Sequence, residues 1–213
     1  MTVFGYVREM SDSGYNLEDI GLFHRTMLPF LVRRLGLTTS SRIVDIGAGS
    51  GHGLLPLWLE GFRNLVAVDR DAFNFARLAE QFGIPAIHCD IEQDAVALED
   101  NSVDLVISFH VIEHLVSPHN LMREVYRILR QGGIFALVTP DWRKQYRTFY
   151  RDPTHVRPYD HESIVRLLKM YGYGDVFSTP WGSRWGLGRL RAYRFFPRLG
   201  LIGNDLFAQG RKR

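Results

Sequence analysis

Glycines at alternate positions follow an acidic residue in a β-type run of the chain. Asp45 lies in this run, and Gly47, Gly49 and Gly51 come after it. Glycine permits backbone dihedrals that other residues resist, and it lets a ligand approach the main chain closely. A helix-like segment over residues 52–60 comes next, and the free N–H groups of a helix N-terminus attract carboxylates or phosphates. The turn therefore predicts a binding site for a small ligand that carries an anionic group.

The spacing of these glycines discriminates between ligands. A dinucleotide-binding turn reads G-x-G-x-x-G, which would require glycine where this chain has His52. The chain instead reads G-x-G-x-G from Gly47 to Gly51. This departure argues against a nucleotide-dependent oxidoreductase, which is the first alternative function. A non-catalytic binding module with the same turn is the second alternative.

Further acidic residues follow the next apolar runs of the sequence. Asp69 ends the run 65–69, 18 residues after Gly51, and Asp90 follows the run 86–89. In open α/β folds, ligands bind at the carboxyl ends of the strands, and an acid at this distance from the glycines can hold two ribose hydroxyls. Asp69 is predicted to have that role.

These features resemble, in order, the motifs of class I S-adenosylmethionine-dependent methyltransferases, and of their type 11 and 23 members in particular. The turn over residues 47–51, called the glycine turn below, resembles motif I of the family. Residues 110–115 (HVIEHL) are similar to the V-L-E-H-L segment that follows the fourth strand in the family. Residues 127–134 (RILRQGGI) are similar to the L-K-P-G-G turn before the fifth strand. With Asp69 and Asp90, five motifs lie in the family's order.

The resemblance implies that S-adenosylmethionine is the cofactor. It implies a methyltransferase enzyme that acts on a small-molecule acceptor, with oxygen as the expected acceptor atom. The resemblance also implies which residues bind the cofactor. In the order amino-acid part, ribose, adenine and sulfonium of the cofactor, they are Asp45, Gly47, Ala48, Gly49, Gly51, Asp69, Arg70, Asp90, Ile91, Phe109 and His110.

The candidate catalytic residues are Glu113, His114 and His155. Methyl transfer requires the nucleophile to lose a proton, and a well-placed base adds about 10²–10⁴-fold to the rate. Glu113 and His114 follow the fourth strand, where such folds open onto the transferred methyl group. His155 lies in a loop too polar for a core, and His161 is a further candidate base.

The loop containing His155 also bears on the acceptor. Its sequence from residue 152 to residue 158, DPTHVRP, resembles a loop of methyltransferases associated with bacterial surface polysaccharides and glycolipids. A sugar or glycolipid acceptor is therefore the expectation. Asp152, His155 and His161 match no standard metal-ligand spacing, so no metal is expected.

The alternation of strand and helix signals predicts a doubly wound α/β fold. The family adds a Rossmann-like, seven-stranded, mostly parallel sheet with an antiparallel last strand. A single domain is expected over 1–213, with an arm and helix in 1–40, the cofactor-binding core in 41–140 and a substrate-side part in 141–213. The predicted strands span residues 42–46, 65–69, 86–89, 103–109, 134–139, 175–179 and 206–209, and the predicted helices span residues 17–35, 52–60, 71–82, 118–130 and 161–171.

Composition sets the broad class of the protein. The chain has 213 residues, of which 46% are apolar and 23% charged, which is typical of a globular domain rather than a disordered one. Cys89 is the sole cysteine, so no intrachain disulfide can form. The N-terminus lacks the pattern of a signal peptide. These features predict a cytoplasmic protein.

The charge is distributed unevenly. The net charge is +3, yet the segment from Arg184 to Arg213 carries eight Lys or Arg and a single acid, Asp205. Residues 181–200 interleave these charges with aromatic side chains, which is compatible with peripheral contact with an anionic membrane; a substrate lid or core packing is the alternative. No nucleic-acid partner is expected, and the oligomeric state is left open.

Overall fold

The computed structural model describes residues 22–72, 75–181 and 204–213, without the side chains of residues 22–27. The helices are α1 Leu22–Arg34, α2 Leu55–Leu59, α3 Phe75–Phe82, α4 His119–Ile128, α5 Trp142–Gln145 and α6 His161–Met170. The strands are β1 Ile43–Ile46, β2 Leu65–Asp69, β3 Ala86–His88, β4 Val103–Phe109, β5 Leu129–Pro140, β6 Tyr173–Trp181 and β7 Asp205–Lys212. Single 3₁₀ turns span Ile112–His114 and Phe149–Arg151.

The strands form one seven-stranded sheet in the order β3-β2-β1-β4-β5-β7-β6. Strands β1 to β5 pair in parallel, and β7 pairs antiparallel with both β5 and β6. The predicted Rossmann-like fold with an antiparallel last strand is confirmed. Strand order reverses between β1 and β4, and the carboxyl ends of the strands at such a reversal are where open α/β sheets bind ligands.

Both faces of the sheet are covered by helices, so its central strands are mostly buried and mostly apolar. All four residues of β1 are buried. Val44 and Val106 point into one core cluster, whereas their neighbours Ile43 and Leu105 point into the other. Side chains of α4 and α6 complete the first cluster, and those of α1, α2 and α3 complete the second. Parallel strands are near-continuous runs of hydrophobic residues, so both faces of a parallel sheet must be covered.

Side-chain caps fix the helices that follow β5. Asp160 accepts a hydrogen bond from the backbone N–H of Ser163 at 2.8 Å, and the Ser163 hydroxyl closes a capping box at the start of α6. Asp141 accepts from the backbone N–H of Arg143 at 3.1 Å and caps α5. Such caps satisfy N–H groups that have no partner within a helix, so local sequence sets these two helix starts.

The helix after β1 begins later than predicted. The expected start is residue 52, whereas α2 begins at Leu55. Pro56 lies in the first turn of α2, a position that proline tolerates because its missing N–H would have no partner there. After β2, an Asp69 oxygen accepts from the backbone N–H of Asp71 at 2.8 Å and holds the chain in a turn.

The strands of the C-terminal half are longer than predicted. β5 begins at Leu129 rather than at residue 134, because Leu129 already pairs with Val103. α4 ends two residues before the predicted position for the same reason. β6 and β7 exceed the predicted spans because their pairing continues from Trp181 opposite Asp205 to the far end of both strands.

The basic aromatic segment predicted at 181–200 lies outside the described residues except for Trp181. That side chain is buried and stacks on Phe207 with ring centroids 5.2 Å apart. Among the described residues, no helix combines the length and apolar character that crossing a membrane requires.

Candidate active site

A cavity of about 220 Å³ opens at the carboxyl ends of β1, β2, β3 and β4. Its position is the ligand-binding edge that the strand order defines. Its lining residues come from five separate segments of the chain. Six of these residues were predicted from the sequence to bind a cofactor: Gly47, Asp69, Arg70, Asp90, Ile91 and His110.

The glycine turn after β1 has the backbone that its sequence predicts. Gly47 and Gly49 have φ angles of +79° and +49°, which side chains with a Cβ resist. A Cβ at Gly47 would overlap the side chain of Val111, whereas the space beside Gly49 is open. Gly47 therefore lets the segment after β4 pack closely, and Gly49 leaves room for a ligand.

Asp69 joins the glycine turn to the end of β2. One carboxylate oxygen accepts from the backbone N–H of Gly49 at 2.8 Å, and the other accepts from that of Asp71 at 2.8 Å. An ionised carboxylate has about four lone-pair positions, so these two bonds fix its orientation and leave positions for a ligand's hydroxyls. Arg70 lies beside it in the cavity lining.

Asp45 lies beneath the turn and is only 2% exposed. Its Oδ1 atom is buried without a hydrogen-bond partner among the described residues. Burial, with a smaller contribution from the negative charge of Asp69, raises the pKa of Asp45 to about 8. A buried oxygen without a donor is uncommon, and Asp45 is not among the residues that line the cavity.

The acid after β3 both lines the cavity and holds its own turn. The two carboxylate oxygens of Asp90 accept from the backbone N–H of Glu92 at 3.0 Å and from the side-chain amide of Gln93 at 3.1 Å. Ile91 beside it is buried and offers an apolar surface to the cavity. A carboxylate next to an apolar wall suits an adenine ring, as the sequence predicts.

His110 ends β4 in an unusual backbone conformation. Its φ angle is +55°, and such strain in a residue other than glycine concentrates at functional sites. Its Nδ1 lies 3.2 Å from a Glu113 oxygen, and its Nε2 lies 3.9 Å from an oxygen of Asp205. Burial works to lower the pKa of His110, but the hydrogen bond to Glu113 and the two negative charges outweigh it, so the pKa is raised. Phe109 points instead toward Trp181, with ring centroids 6.1 Å apart.

Glu113 is fully buried and its polar atoms are engaged. Its carboxylate contacts His110 and accepts from the hydroxyl of Thr139 at 2.9 Å. Its carbonyl oxygen accepts from the backbone N–H groups of Val156 and Arg157 at 2.9 and 3.0 Å. Glu113 therefore fixes the conformation of His110 and docks the loop over residues 152–158 against the end of β4.

His114 and His155 meet across this docked loop. The ring centroids are 4.8 Å apart in an edge-to-face arrangement. The His114 Nδ1 lies 2.9 Å from the hydroxyl oxygen of Thr154 and 3.2 Å from its carbonyl oxygen, and the hydroxyl itself donates to Asp152 at 2.6 Å. Both Thr154 atoms therefore accept, so His114 carries its proton on Nδ1 and presents the lone pair of Nε2. Burial lowers the pKa of His114 and favours this neutral form.

His161 does not line this cavity. Its Nδ1 lies 2.7 Å from the hydroxyl of Ser178, and its Nε2 lies 3.6 Å from a carboxylate oxygen of Asp141. Sequence reasoning missed six residues that line the cavity: Ile46, Val68, Cys89, Val111, Leu115 and Thr154. Each is adjacent in sequence to a predicted residue, and the last three lie in segments 110–115 and 152–158, which the resemblance had singled out.

A second depression of similar volume lies between α4 and the end of α6, and none of the predicted site residues lines it. Its walls include the ion pair of Glu124 with Arg127, whose nitrogen and oxygen are 2.8 Å apart. The guanidinium also donates to the carbonyl oxygens of Val96 and Leu98. This surface ties the loop before β4 to α4, which is a structural role.

The fold and the cavity define an α/β cofactor-binding domain with acids at the ends of successive parallel strands. Residues 44–137 match the family described as "Methyltransferase domain". A probable S-adenosylmethionine-dependent methyltransferase of Mycolicibacterium smegmatis is 31% identical over 137 residues, which are 62% of this chain and 51% of that protein. The chain thus spans about half the length of this relative. An uncharacterized methyltransferase of Mycobacterium bovis is 25% identical over 90% of this chain and 82% of its own length.

A solved structure shares the fold over most of the chain. The crystal structure of a SAM-dependent methyltransferase from Archaeoglobus fulgidus superposes with a TM-score of 0.67 at 21% identity, covering 89% of this chain and 94% of that one. Residues 44–137 thus match a methyltransferase domain, and the fold of the chain is shared with a SAM-dependent methyltransferase. The similar proteins are named as S-adenosylmethionine-dependent methyltransferases, which favours that cofactor over the dinucleotide of an oxidoreductase.

Proposed function

We propose that this protein transfers a methyl group from S-adenosylmethionine to a hydroxyl oxygen of a small-molecule acceptor of the sugar or glycolipid class. The observation that carries the proposal is the arrangement of the cavity. Asp69 and Asp90 line one end of it, while His114 from the turn after β4 and Thr154 from the polar loop line another wall. One cavity thus joins a cofactor site to an imidazole with a free lone pair.

The cofactor contacts follow from where the side chains lie. Asp69 would accept from the ribose hydroxyls, and Asp90 with Ile91 would hold the adenine. The glycine turn, with Gly47, Ala48, Gly49 and Gly51 and with Asp45 beneath it, would hold the amino-acid part. His110, directly after β4, lines the cavity and would lie beside the sulfonium, whereas Phe109 points toward Trp181 and is not among the lining residues.

When bound, the cofactor supplies an electrophilic methyl group on a sulfonium. The acceptor oxygen forms the new bond to carbon as the carbon–sulfur bond breaks, and the hydroxyl proton must leave. His114 is placed to take that proton on Nε2, because its Nδ1 proton is already held by Thr154. Positioning of the two reactants supplies a further part of the rate, up to about 7–11 kcal/mol in favourable cases.

The acceptor class is supported by the loop over residues 152–158. Its polar residues carry a hydrogen-bond chain from His114 through Thr154 to Asp152, which is the kind of surface that recognises hydroxyl-rich molecules. Arg157 donates to the carbonyl oxygen of Val116 and lies exposed at the end of the loop. Its guanidinium suits an acceptor that also carries a phosphate or carboxylate.

The test is a screen of candidate acceptors with methyl-labelled S-adenosylmethionine, followed by location of the label on any product. Neutral sugars, phosphorylated sugars and glycolipids form the first set, with amines as the comparison. Calorimetry with S-adenosylhomocysteine checks cofactor binding separately. Label on a hydroxyl supports the proposal, label on nitrogen or carbon overturns the acceptor atom, and cofactor binding without transfer to any acceptor supports a non-catalytic binding module.

A further inference from the structure

Three potential metal ligands converge beside the cavity. A carboxylate oxygen of Glu113 and one ring nitrogen each of His114 and His155 all lie within 4.8 Å of one another. Glu113 and His114 are adjacent on the 3₁₀ turn after β4, whereas His155 reaches them from a loop about forty residues further along the chain. The cluster exists only because that loop docks on the carbonyl oxygen of Glu113.

The hydrogen bonds around the two imidazoles engage the same nitrogen, Nδ1, on each ring. His155 directs Nδ1 to the carbonyl oxygen of Phe149 at 2.8 Å, so this nitrogen donates, and its Nε2 lies 3.8 Å from a carboxylate oxygen of Asp152. His114 directs Nδ1 to the two acceptor atoms of Thr154. In metalloproteins a ligating imidazole almost always donates its other N–H to a carbonyl, carboxylate or water, which fixes the ring. Both rings show that arrangement.

The carboxylate of Glu113 is 0% exposed, and among the described residues no Lys or Arg lies within ion-pairing distance of it. A buried carboxylate is costly unless a cation or several donors compensate it. The described partners of its two oxygens are the His110 ring and the Thr139 hydroxyl. A cation held by both histidines would supply positive charge beside this group.

We infer that Glu113, His114 and His155 form a binding site for a divalent first-row transition metal ion. Two imidazoles and one carboxylate are the ligand set that suits Zn²⁺, Fe²⁺ or Co²⁺. Metal–nitrogen bonds of about 2.0–2.1 Å place tetrahedral ligands about 3.3 Å apart. Because the three atoms lie within 4.8 Å of one another, their separations shorten by at most about 1.5 Å when they bind the ion. Three protein ligands leave a coordination position open.

The open position would face the methyl-transfer cavity, because His114 and Thr154 line that cavity. An oxygen of the acceptor bound there would be polarised, and a bound ion lowers the pKa of a coordinated hydroxyl or water. With the ion in place, this coordination would take over the role proposed for the His114 lone pair. Ion binding itself does not depend on the proposed methyl transfer and is measured without an acceptor.

The test is a Co²⁺ titration of untagged protein that has been dialysed against a chelator. Co²⁺ reports its own coordination through ligand-field absorption and substitutes for Zn²⁺ in such sites. We expect one Co²⁺ per chain, with Mg²⁺, which prefers oxygen ligands, unable to displace it. His114→Ala and His155→Ala should each weaken Co²⁺ binding by at least about tenfold, and Glu113→Gln should weaken it as well.

His88→Ala is the matched control, because His88 is exposed on β3 and does not belong to the cluster. It removes an imidazole and should leave the Co²⁺ absorption and affinity unchanged. Thermal unfolding and S-adenosylhomocysteine binding, measured on every variant, show that each is folded. No stoichiometric Co²⁺ binding in the wild type, or equal affinity in the two cluster histidine variants and the control, overturns the metal site. Neither result would contradict the proposed methyl transfer, provided that S-adenosylhomocysteine still binds.

Discussion

Replacing Asp45 by Asn tests the electrostatics beneath the glycine turn. Asp45 is 2% exposed, and burial, helped by the charge of Asp69, raises its pKa from 3.8 to about 8. The folded chain therefore holds a proton on Asp45 at pH values where the unfolded chain has released it. Asn has nearly the same shape and cannot ionise, so the substitution removes the titration and keeps the packing.

The sign and size of the effect follow from linkage. The free energy that Asp45 contributes to folding is fully present below about pH 4, and it is lost as pH rises toward 8, because ionising the buried group opposes folding. Each pH unit in this window corresponds to about 1.4 kcal/mol. From about pH 5 to pH 7, the unfolding free energy of the wild type should therefore fall by about 2.7 kcal/mol relative to Asp45→Asn.

Urea unfolding of both proteins without cofactor, at the two pH values, measures this difference directly. Other titrating groups are common to both proteins and cancel in the comparison. Matching circular dichroism spectra establish that the two folds are the same. The reasoning is refuted if the unfolding free energies of the wild type and of Asp45→Asn change by the same amount between the two pH values. Asp45 would then not be buried in its protonated form.

Three further predictions concern the site and its support. Asp69→Ala should weaken S-adenosylmethionine binding by about 1–3 kcal/mol, the cost of lost hydrogen bonds to a charged group, and calorimetry showing unchanged affinity in a folded variant would remove it from the ribose site. Gly47→Ala should destabilise the protein more than Gly36→Ala in thermal unfolding, since both have positive φ but only Gly47 faces a side chain that a Cβ would overlap; equal losses would contradict this. Phe149→Ala should cost about 3–5 kcal/mol in unfolding free energy, because this ring is 1% exposed and packs against His155; a loss under about 1 kcal/mol would mean that the loop does not depend on it.

The sequence alone determined the core of the fold. Apolar runs that end in Asp69 and Asp90, and a glycine turn after Asp45, are local patterns, and each predicts a strand and the turn after it without reference to the rest of the chain. The continuous burial of β1 and β2 follows from the same runs. Strand ends in the C-terminal half were less well predicted, because the length of β5 and β7 is set by the strand that each one meets.

The meeting of Asp69 and Asp90 at one cavity was largely predictable, since each lies at or just after the end of its own strand and the topology brings the strand ends together. The contacts of the loop over residues 152–158 were not. No local pattern states that Thr154 contacts His114, or that the loop hydrogen-bonds to Glu113. Nor does any local pattern show that a carboxylate oxygen of Asp205, at the start of β7, lies 3.9 Å from Nε2 of His110.

These contacts join segments that are forty or more residues apart in the chain, and tertiary packing created them. The pKa shifts of Asp45, His110 and His114 have the same origin, because burial and neighbouring charges cause them, and both are properties of the folded chain. The sequence therefore determined which chemical groups are present and on which elements they lie, and packing decided which of them meet and in what protonation state.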